Sequence, residues 1–303
     1  MLTSIFWATG ALWPTELPDY ATSRRQIIGM SLMLILEISY FVAAGFFAQR
    51  HSLELVDQIE PLLPGERHAS DARKAIRGAL AKVVLVGSVF GIAMGIFNAP
   101  LYQAFYESST PSIDITIALN QILLWWIVGI FLCQRLIVAD CFGRIGEAIR
   151  FDLFQLDRLR IFARSGLNDV LLIAGALALS PLQALDAEFR WYNYSFALGI
   201  AIPAAFALLL WPLRPLHRRI VIQKTSQLAR VEEHIDTAIA DGFRDDLPRF
   251  EALLSHRDRL HGLSTWPLST ALVSRVFVYL IIPPIAWAGA ALVERLLEGW
   301  IAQ

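Results

Sequence analysis

The sequence predicts an all-α membrane protein with six transmembrane helices and a cytoplasmic helical hairpin layer. Three observations carry this prediction. Of 303 residues, 56% are hydrophobic and only 17% are charged, whereas an ordinary soluble domain is about 25% charged. Mean hydropathy is +0.51, and six stretches reach or approach the roughly 20 apolar residues that a bilayer-crossing helix needs. Lysine and arginine are also divided very unequally between alternate connections.

The same composition excludes several classes. A disordered chain is poor in apolar residues and rich in net charge, whereas this one carries a formal charge of −1. That balance also excludes a strongly basic nucleic-acid binder. Two cysteines, Cys133 and Cys141, are too few for a disulfide scaffold or a four-cysteine zinc site.

The six expected spans are 27–47, 83–101, 115–138, 170–185, 192–211 and 271–292. The fourth is short and contains Pro181, and it forms a tight helical hairpin with the fifth. Twenty-two of the 26 basic residues fall after spans one, three and five or, as Arg135 and Arg275, just inside the same ends of spans three and six. Four lie on the other side: Arg24, Arg25, Arg190 and Arg295. The positive-inside rule then puts both termini outside the cytoplasm, against the local vote of Arg24 and Arg25. Interfacial aromatics gather at the outer edge, with Tyr102, Phe105 and Tyr106 on one connection and Trp191, Tyr192 and Tyr194 on another. Residues 1–13 are apolar, too short to span, without a basic n-region and followed by Pro14, so a cleaved signal peptide is not expected. They read as a short helix on the outer interface.

This divides the chain into an interfacial segment (1–26), spans one to five with cytoplasmic loops 49–78 and 140–168 (27–212), a cytoplasmic hairpin (213–267), and the last span with its tail (268–303). In the first loop Pro61, Pro64 and Gly65 mark a turn, and Ser70 or Asp71 is a candidate cap for a helix running into span two. The second loop interleaves Phe142, Ile145, Ile149, Leu153, Leu156 and Leu159 with arginines. This spacing fits either an amphipathic helix on the membrane surface or one packed against the other loops. In the third, Leu228, Val231, Ile235 and Ile239 form a helical stripe and Asp241-Gly242 is a stop signal. Asp246 and Pro248 open a second helix with Phe250, Leu253, Leu254 and Leu260 on its apolar side.

Two short motifs punctuate the second half. One is Trp211-Pro212-Leu213-Arg214-Pro215-Leu216-His217-Arg218-Arg219, followed by Lys224 and Leu228; the other is Ser264-Thr265-Trp266-Pro267-Leu268. Together they resemble a group of uncharacterised bacterial multi-pass inner-membrane proteins. The resemblance implies a bacterial inner membrane and the layout of the C-terminal half, and implies no activity. Physically, Pro212 and Pro215 would break span five and re-aim the chain. Trp266 would anchor at the inner interface and Pro267 would start span six. His217 would face lipid phosphates or water.

Glu37 is the sharpest functional signal, because it stands at the centre of the first span between Leu36 and Ile38. An acid there costs a few kcal/mol or more unless it is paired, protonated or facing water. It reads as an ion, proton or substrate contact, or as a structural acid hydrogen-bonded inside the bundle. Arg275 is the candidate partner, with snorkelling to the headgroups as the alternative. Asn120 and Gln121 in span three, and Gln134 with Arg135 at its inner end, read as helix glue or as pore lining. Gly87, Gly91 and Gly95 form a small-residue stripe for close packing, within or between subunits. Pro203 and Pro283-Pro284 mark kinks or hinges.

No nucleophile elbow, P-loop or His-Glu-x-x-His zinc motif occurs, so no catalytic residue, metal site or cofactor is expected. Glu232, Glu233 and His234 read as a solvated face. Two functions stay open: an oligomeric ion or small-solute channel using Glu37, or a membrane-anchored signalling or assembly scaffold whose hairpin binds a cytoplasmic protein. The expected partners are the lipid bilayer, further copies of the chain and such a protein, with no nucleic acid.

Overall fold

The computed structural model describes residues 1–16, 18, 23–78, 80–99, 101, 104–105, 109–149, 151–154, 159–184, 192–240, 247–266, 274–279, 281 and 285. Those residues form helices and turns. The helices are α1 (Leu2–Ala8), α2 (Arg24–Ile59), α3 (Glu66–Gly78), α4 (Leu80–Asn98), α5 (Pro111–Ala148), α6 (Arg160–Leu177), α7 (Tyr192–Leu210), α8 (Arg214–Ala240) and α9 (Leu247–Gly262). Short 3-10 turns cover Glu60–Leu62, Ser180–Ala184 and Trp211–Leu213.

Helix starts follow local chemistry. Ser23 caps α2 by accepting a hydrogen bond from the Gln26 amide at 3.2 Å. Pro111 opens α5, with Asp114 in its first turn at the positive end of the helix dipole. Within the first loop, α3 begins at Glu66, so Ser70 and Asp71 lie inside the helix rather than capping it.

Four helical stretches are long and apolar enough to cross a membrane: Arg24–Leu62, Pro111–Ala148, Arg160–Gln183 and Ser195–Ala240. The second expected span is a shorter apolar helix, Val83–Asn98. The sixth falls mostly outside the described residues; positions 274–279, 281 and 285 of it are helical.

The long helices exceed what a membrane requires. The 36 residues of α2 extend roughly 54 Å at 1.5 Å per residue, against about 30 Å of hydrocarbon. The excess builds a second core at one end. There the last turns of α2 (Leu55, Val56, Ile59) and of α5 (Phe142, Ile145), with its C-cap Ile149, meet α3, the start of α6 and the hairpin of α8 and α9. Leu153, Leu159 and Phe162 are fully or almost fully buried in it, and so are Leu216, Ile220 and Leu260. The 140–168 stretch is therefore packed against the other loops. Its described residues are the end of α5, the beginning of α6 and parts of the connection between them, and of its six apolar positions Leu156 lies outside the described residues.

The proline pair likewise does not end span five. The chain tightens to one 3-10 turn at Trp211–Leu213 and continues as α8. Pro215 sits in the first turn of α8, where a missing N–H costs nothing. The expected stop at Asp241-Gly242 and the Asp246 cap lie outside the described residues, but α8 and α9 do form the hairpin.

Basic side chains of α8 tie the layer together through carbonyls. Arg219 Nη1 donates to Glu147 O at 2.6 Å and Ile149 O at 2.7 Å, closing the C-terminus of α5. Its guanidinium stands 5.4 Å from the Phe151 ring centroid. Lys224 Nζ donates to His261 O at 2.9 Å and Leu263 O at 2.8 Å, closing α9. The last carbonyls of a helix lack internal partners and carry the negative end of its dipole, so cations suit them. His217 is half-buried rather than facing water or lipid. It stacks on Trp266 at 4.1 Å and 16°, and its Nδ1–H donates to Thr265 O at 2.8 Å. On the outer face of the layer Arg73 joins α3 to α2 through Asp57 at 2.7 Å and Glu60 at 2.6 Å. Those two carboxylates raise the pKa of the Arg73 guanidinium.

At the far end α1 rests on α2 and α5 with Phe6 fully buried. Gly10 turns the chain back with φ +80°, the left-handed region that glycine enters at no steric cost. Ser31 Oγ then donates to Ala11 O at 3.2 Å.

The glycine stripe faces α5. A Cβ on Gly87 would stand 2.7 Å from Ile130 Cα, and one on Gly95 2.8 Å from Ile122 Cα. Gly91 meets the Trp125 carbonyl, and Gly129 of α5 faces back to Gly87. Trp126 Nε1 donates to Ser88 Oγ at 2.7 Å beside the contact. Gly91→Val should therefore destabilise the protein by about 1–3 kcal/mol or more, since backbone cannot yield as a side chain can. Gly45→Ala, with nothing within 4 Å of the new Cβ, should stay within about 0.5 kcal/mol. Thermal unfolding of both variants in detergent micelles measures the difference.

Candidate functional site

Polar side chains occur at two levels inside the bundle. At the level nearer the helical layer Arg135 of α5 and Asp169 of α6 form a buried pair, each 2% exposed. Arg135 Nε donates to Asp169 Oδ1 at 2.7 Å, and Nη2 donates to Asp169 Oδ2 at 3.1 Å and to Ser52 Oγ of α2 at 3.0 Å. Ser52 Oγ in turn donates a hydrogen bond to Ala48 O at 2.7 Å. Three helices thus meet at one guanidinium. The fork geometry of arginine makes two parallel bonds to one carboxylate, and these are the strong kind.

The level farther from the helical layer is a cavity of about 410 Å³, within the range of small-molecule sites. Gln26, Met30, Met33, Glu37 and Phe41 contribute one face of α2. Their spacings of 4, 3, 4 and 4 keep them on a single helical stripe. Gln121, Leu124, Trp125, Val128 and Leu132 do the same on α5. The rest of the wall comes from the end of α4, from α6 with its following 3-10 turn, and from α7. Six described polar side chains line it: Gln26, Glu37, Asn98, Gln121, Ser180 and Gln183. Glu37 is 8% exposed and accepts a long hydrogen bond, 3.5 Å, from Ser180 Oγ. Trp125 and Phe196 meet edge to face, with centroids 5.0 Å apart, and form an aromatic corner of the cavity.

The two levels are close along the chain. Leu132 and Ile173 line the cavity, and each lies one helical turn from a member of the Arg135–Asp169 pair. A second cleft of about 300 Å³ lies between α2, α4 and α5, with Gln49 and Gln134 among its mostly apolar walls. Phe41 lines both spaces and packs edge to face on Phe131 at 5.4 Å.

Of the expected site residues, Glu37 and Gln121 are brought together. Asn120 points elsewhere: it is buried and donates to Thr116 O of its own helix at 2.8 Å. The two adjacent residues are separated by the 100° step of a helix, which placed one in the cavity and one in the helix contact. Arg275 is exposed on the helical run 274–279, next to buried Val276. No ion pair joins it to Glu37 among the described contacts, and the coupling expected of such a pair has no contact beneath it. The partner that Arg135 does take, Asp169, was not singled out in the sequence. Its signal was nonetheless present: opposite charges at the facing ends of consecutive spans, hence of antiparallel neighbours. The glutamines at 26 and 183 and Asn98 carried no signal, because polar residues near span ends are ordinary.

No protein-family model, curated protein or solved structure compared with this chain matches it. The likeness of the two C-terminal motifs to a bacterial inner-membrane group therefore assigns no family. The motif residues have structural work here, since His217, Lys224 and Trp266 join α8 to the end of α9.

Removing one member of a buried ion pair leaves the other uncompensated, at about 3–5 kcal/mol. Arg135→Met alone should destabilise by that order. Arg135→Met with Asp169→Leu should recover most of the loss. Unfolding of the two variants by denaturant titration in micelles tests this, and additive losses in the double variant would contradict it.

Proposed function

We propose that this protein is an integral membrane solute-binding protein that passes a small solute through the bundle, with Glu37 as the contact inside the membrane. One observation carries the reading: a cavity of about 410 Å³ inside a bundle of membrane-length helices holds a carboxylate with no basic side chain among its described lining residues. An ionisable group at membrane depth is costly and is retained where it faces a partner, water or a ligand. Phe41, shared by the cavity and the inner cleft, is the partition a solute crosses. In this reading α4 and the 271–292 segment complete a six-helix bundle. The membrane is a bacterial inner membrane, and a single copy of the chain suffices, because the cavity lies within one.

The inner helical layer faces the cytoplasm in this proposal. Its support is the gathering of the basic connections at one end of the bundle, where α3, α8, α9 and the ends of α2, α5 and α6 share a core. The scaffold reading has less support. Val231 and Ile235, the centre of the hairpin stripe, are already buried against this chain's own core.

Two experiments test the proposal. In liposomes containing the purified protein, a panel of monovalent cations and small organic solutes should give a flux. Glu37→Gln should lower it at least tenfold and Phe41→Ala should raise it. A flux indifferent to both substitutions, or none for any solute, rejects the reading. For orientation, Arg230→Cys in a background of Cys133→Ser and Cys141→Ala should resist an impermeant maleimide in intact spheroplasts and react after lysis. Labelling in intact spheroplasts would reverse the topology.

A further inference from the structure

We propose that the cavity takes a small organic cation, with an ammonium group at Glu37 and an apolar body against Trp125 and Phe196. The inference rests on the reading of the cavity as a solute site and names the class of solute. The argument begins with charge. Glu37 is the one charged side chain among the described residues lining the space, and its described hydrogen bond is the long one from Ser180. An ionised carboxylate in a low-dielectric site attracts a cation more strongly than it would in water, and it repels an anion by the same factor. The remaining polar groups are neutral amides and a hydroxyl, which donate and accept without offsetting that sign.

Size and wall chemistry narrow the class further. A bare monovalent ion would leave most of about 410 Å³ unfilled, a volume many times the roughly 30 Å³ share of one water. Much of the wall is apolar, including Met30, Met33, Trp125 and Phe196, and water in contact with such a wall is readily displaced by an apolar group. The edge-to-face pair of Trp125 and Phe196, 5.0 Å apart, presents aromatic surface to the same space. Aromatic faces attract cations, and tryptophan does so best. The combination of one carboxylate, neutral amides and an aromatic corner is complementary to an ammonium on an apolar body.

The test uses two probes of one skeleton, phenethylammonium and 3-phenylpropionate, titrated calorimetrically into the purified full-length protein in detergent. The ammonium should bind at least tenfold more tightly than the carboxylate. Glu37→Gln should weaken ammonium binding at least tenfold while leaving the carboxylate unfavoured. Ala197→Trp, which fills the cavity from α7, should abolish binding of the ammonium; if Glu37→Gln fails to fold, this variant and the two-probe comparison on the wild type still decide. Equal binding of the two probes, tighter binding of the carboxylate, no ammonium binding, or ammonium binding untouched by Ala197→Trp overturns the inference. Ammonium binding without liposome flux would reject permeation and leave the site standing. Potassium flux without ammonium binding would reject the site's ligand class and leave permeation standing.

Discussion

At the level where the apolar bundle gives way to the basic helical layer, α2, α5 and α6 are held by a single guanidinium. Arg135 reaches Asp169 through two bonds and Ser52 through a third. Neither charge is accessible to water, so each is stable only in the presence of the other. The geometry of that contact sets how α5 and α6 lie against each other. It also sets which faces of those helices turn toward α2 one turn higher, where Leu132 and Ile173 enter the cavity wall.

Below that junction the protein treats its own helix ends as electrostatic sites. The positive-inside pattern is an overall bias that sorts loops between compartments, and it says nothing of where each cation goes. Two of the cations on α8 go to carbonyls: Arg219 to the end of α5 and Lys224 to the end of α9. These bonds, with the His217–Trp266 stack, bolt the hairpin to the membrane helices from which it grows. Val231 and Ile235 of the hairpin's apolar stripe are then buried inward, while Ile239 at its end stays exposed.

Above the junction the site is built by superposition of stripes. No single helix carries a binding motif. Gln26 and Glu37 share a face of α2, Gln121 and Trp125 share a face of α5, and the turn after α6 adds Ser180 and Gln183. The close seat of α4 on α5, allowed by the absence of side chains at Gly87, Gly91 and Gly95, brings Asn98 to the same wall.

Helical class, membrane-length segments, the one-sided basic charge, the α8–α9 hairpin and the isolation of Glu37 were all legible from the chain alone. Each is a matter of composition or of period along one helix, and both are written locally. Tertiary structure decided what period cannot express. Asn120 and Gln121 are neighbours in sequence but face different surroundings, Arg135 chose Asp169 from a helix 34 residues on, and Arg275 stayed outside. The physical reason is that a buried polar group is satisfied by whichever partner packing brings within hydrogen-bond reach, and that choice depends on the rotation and depth of several helices at once.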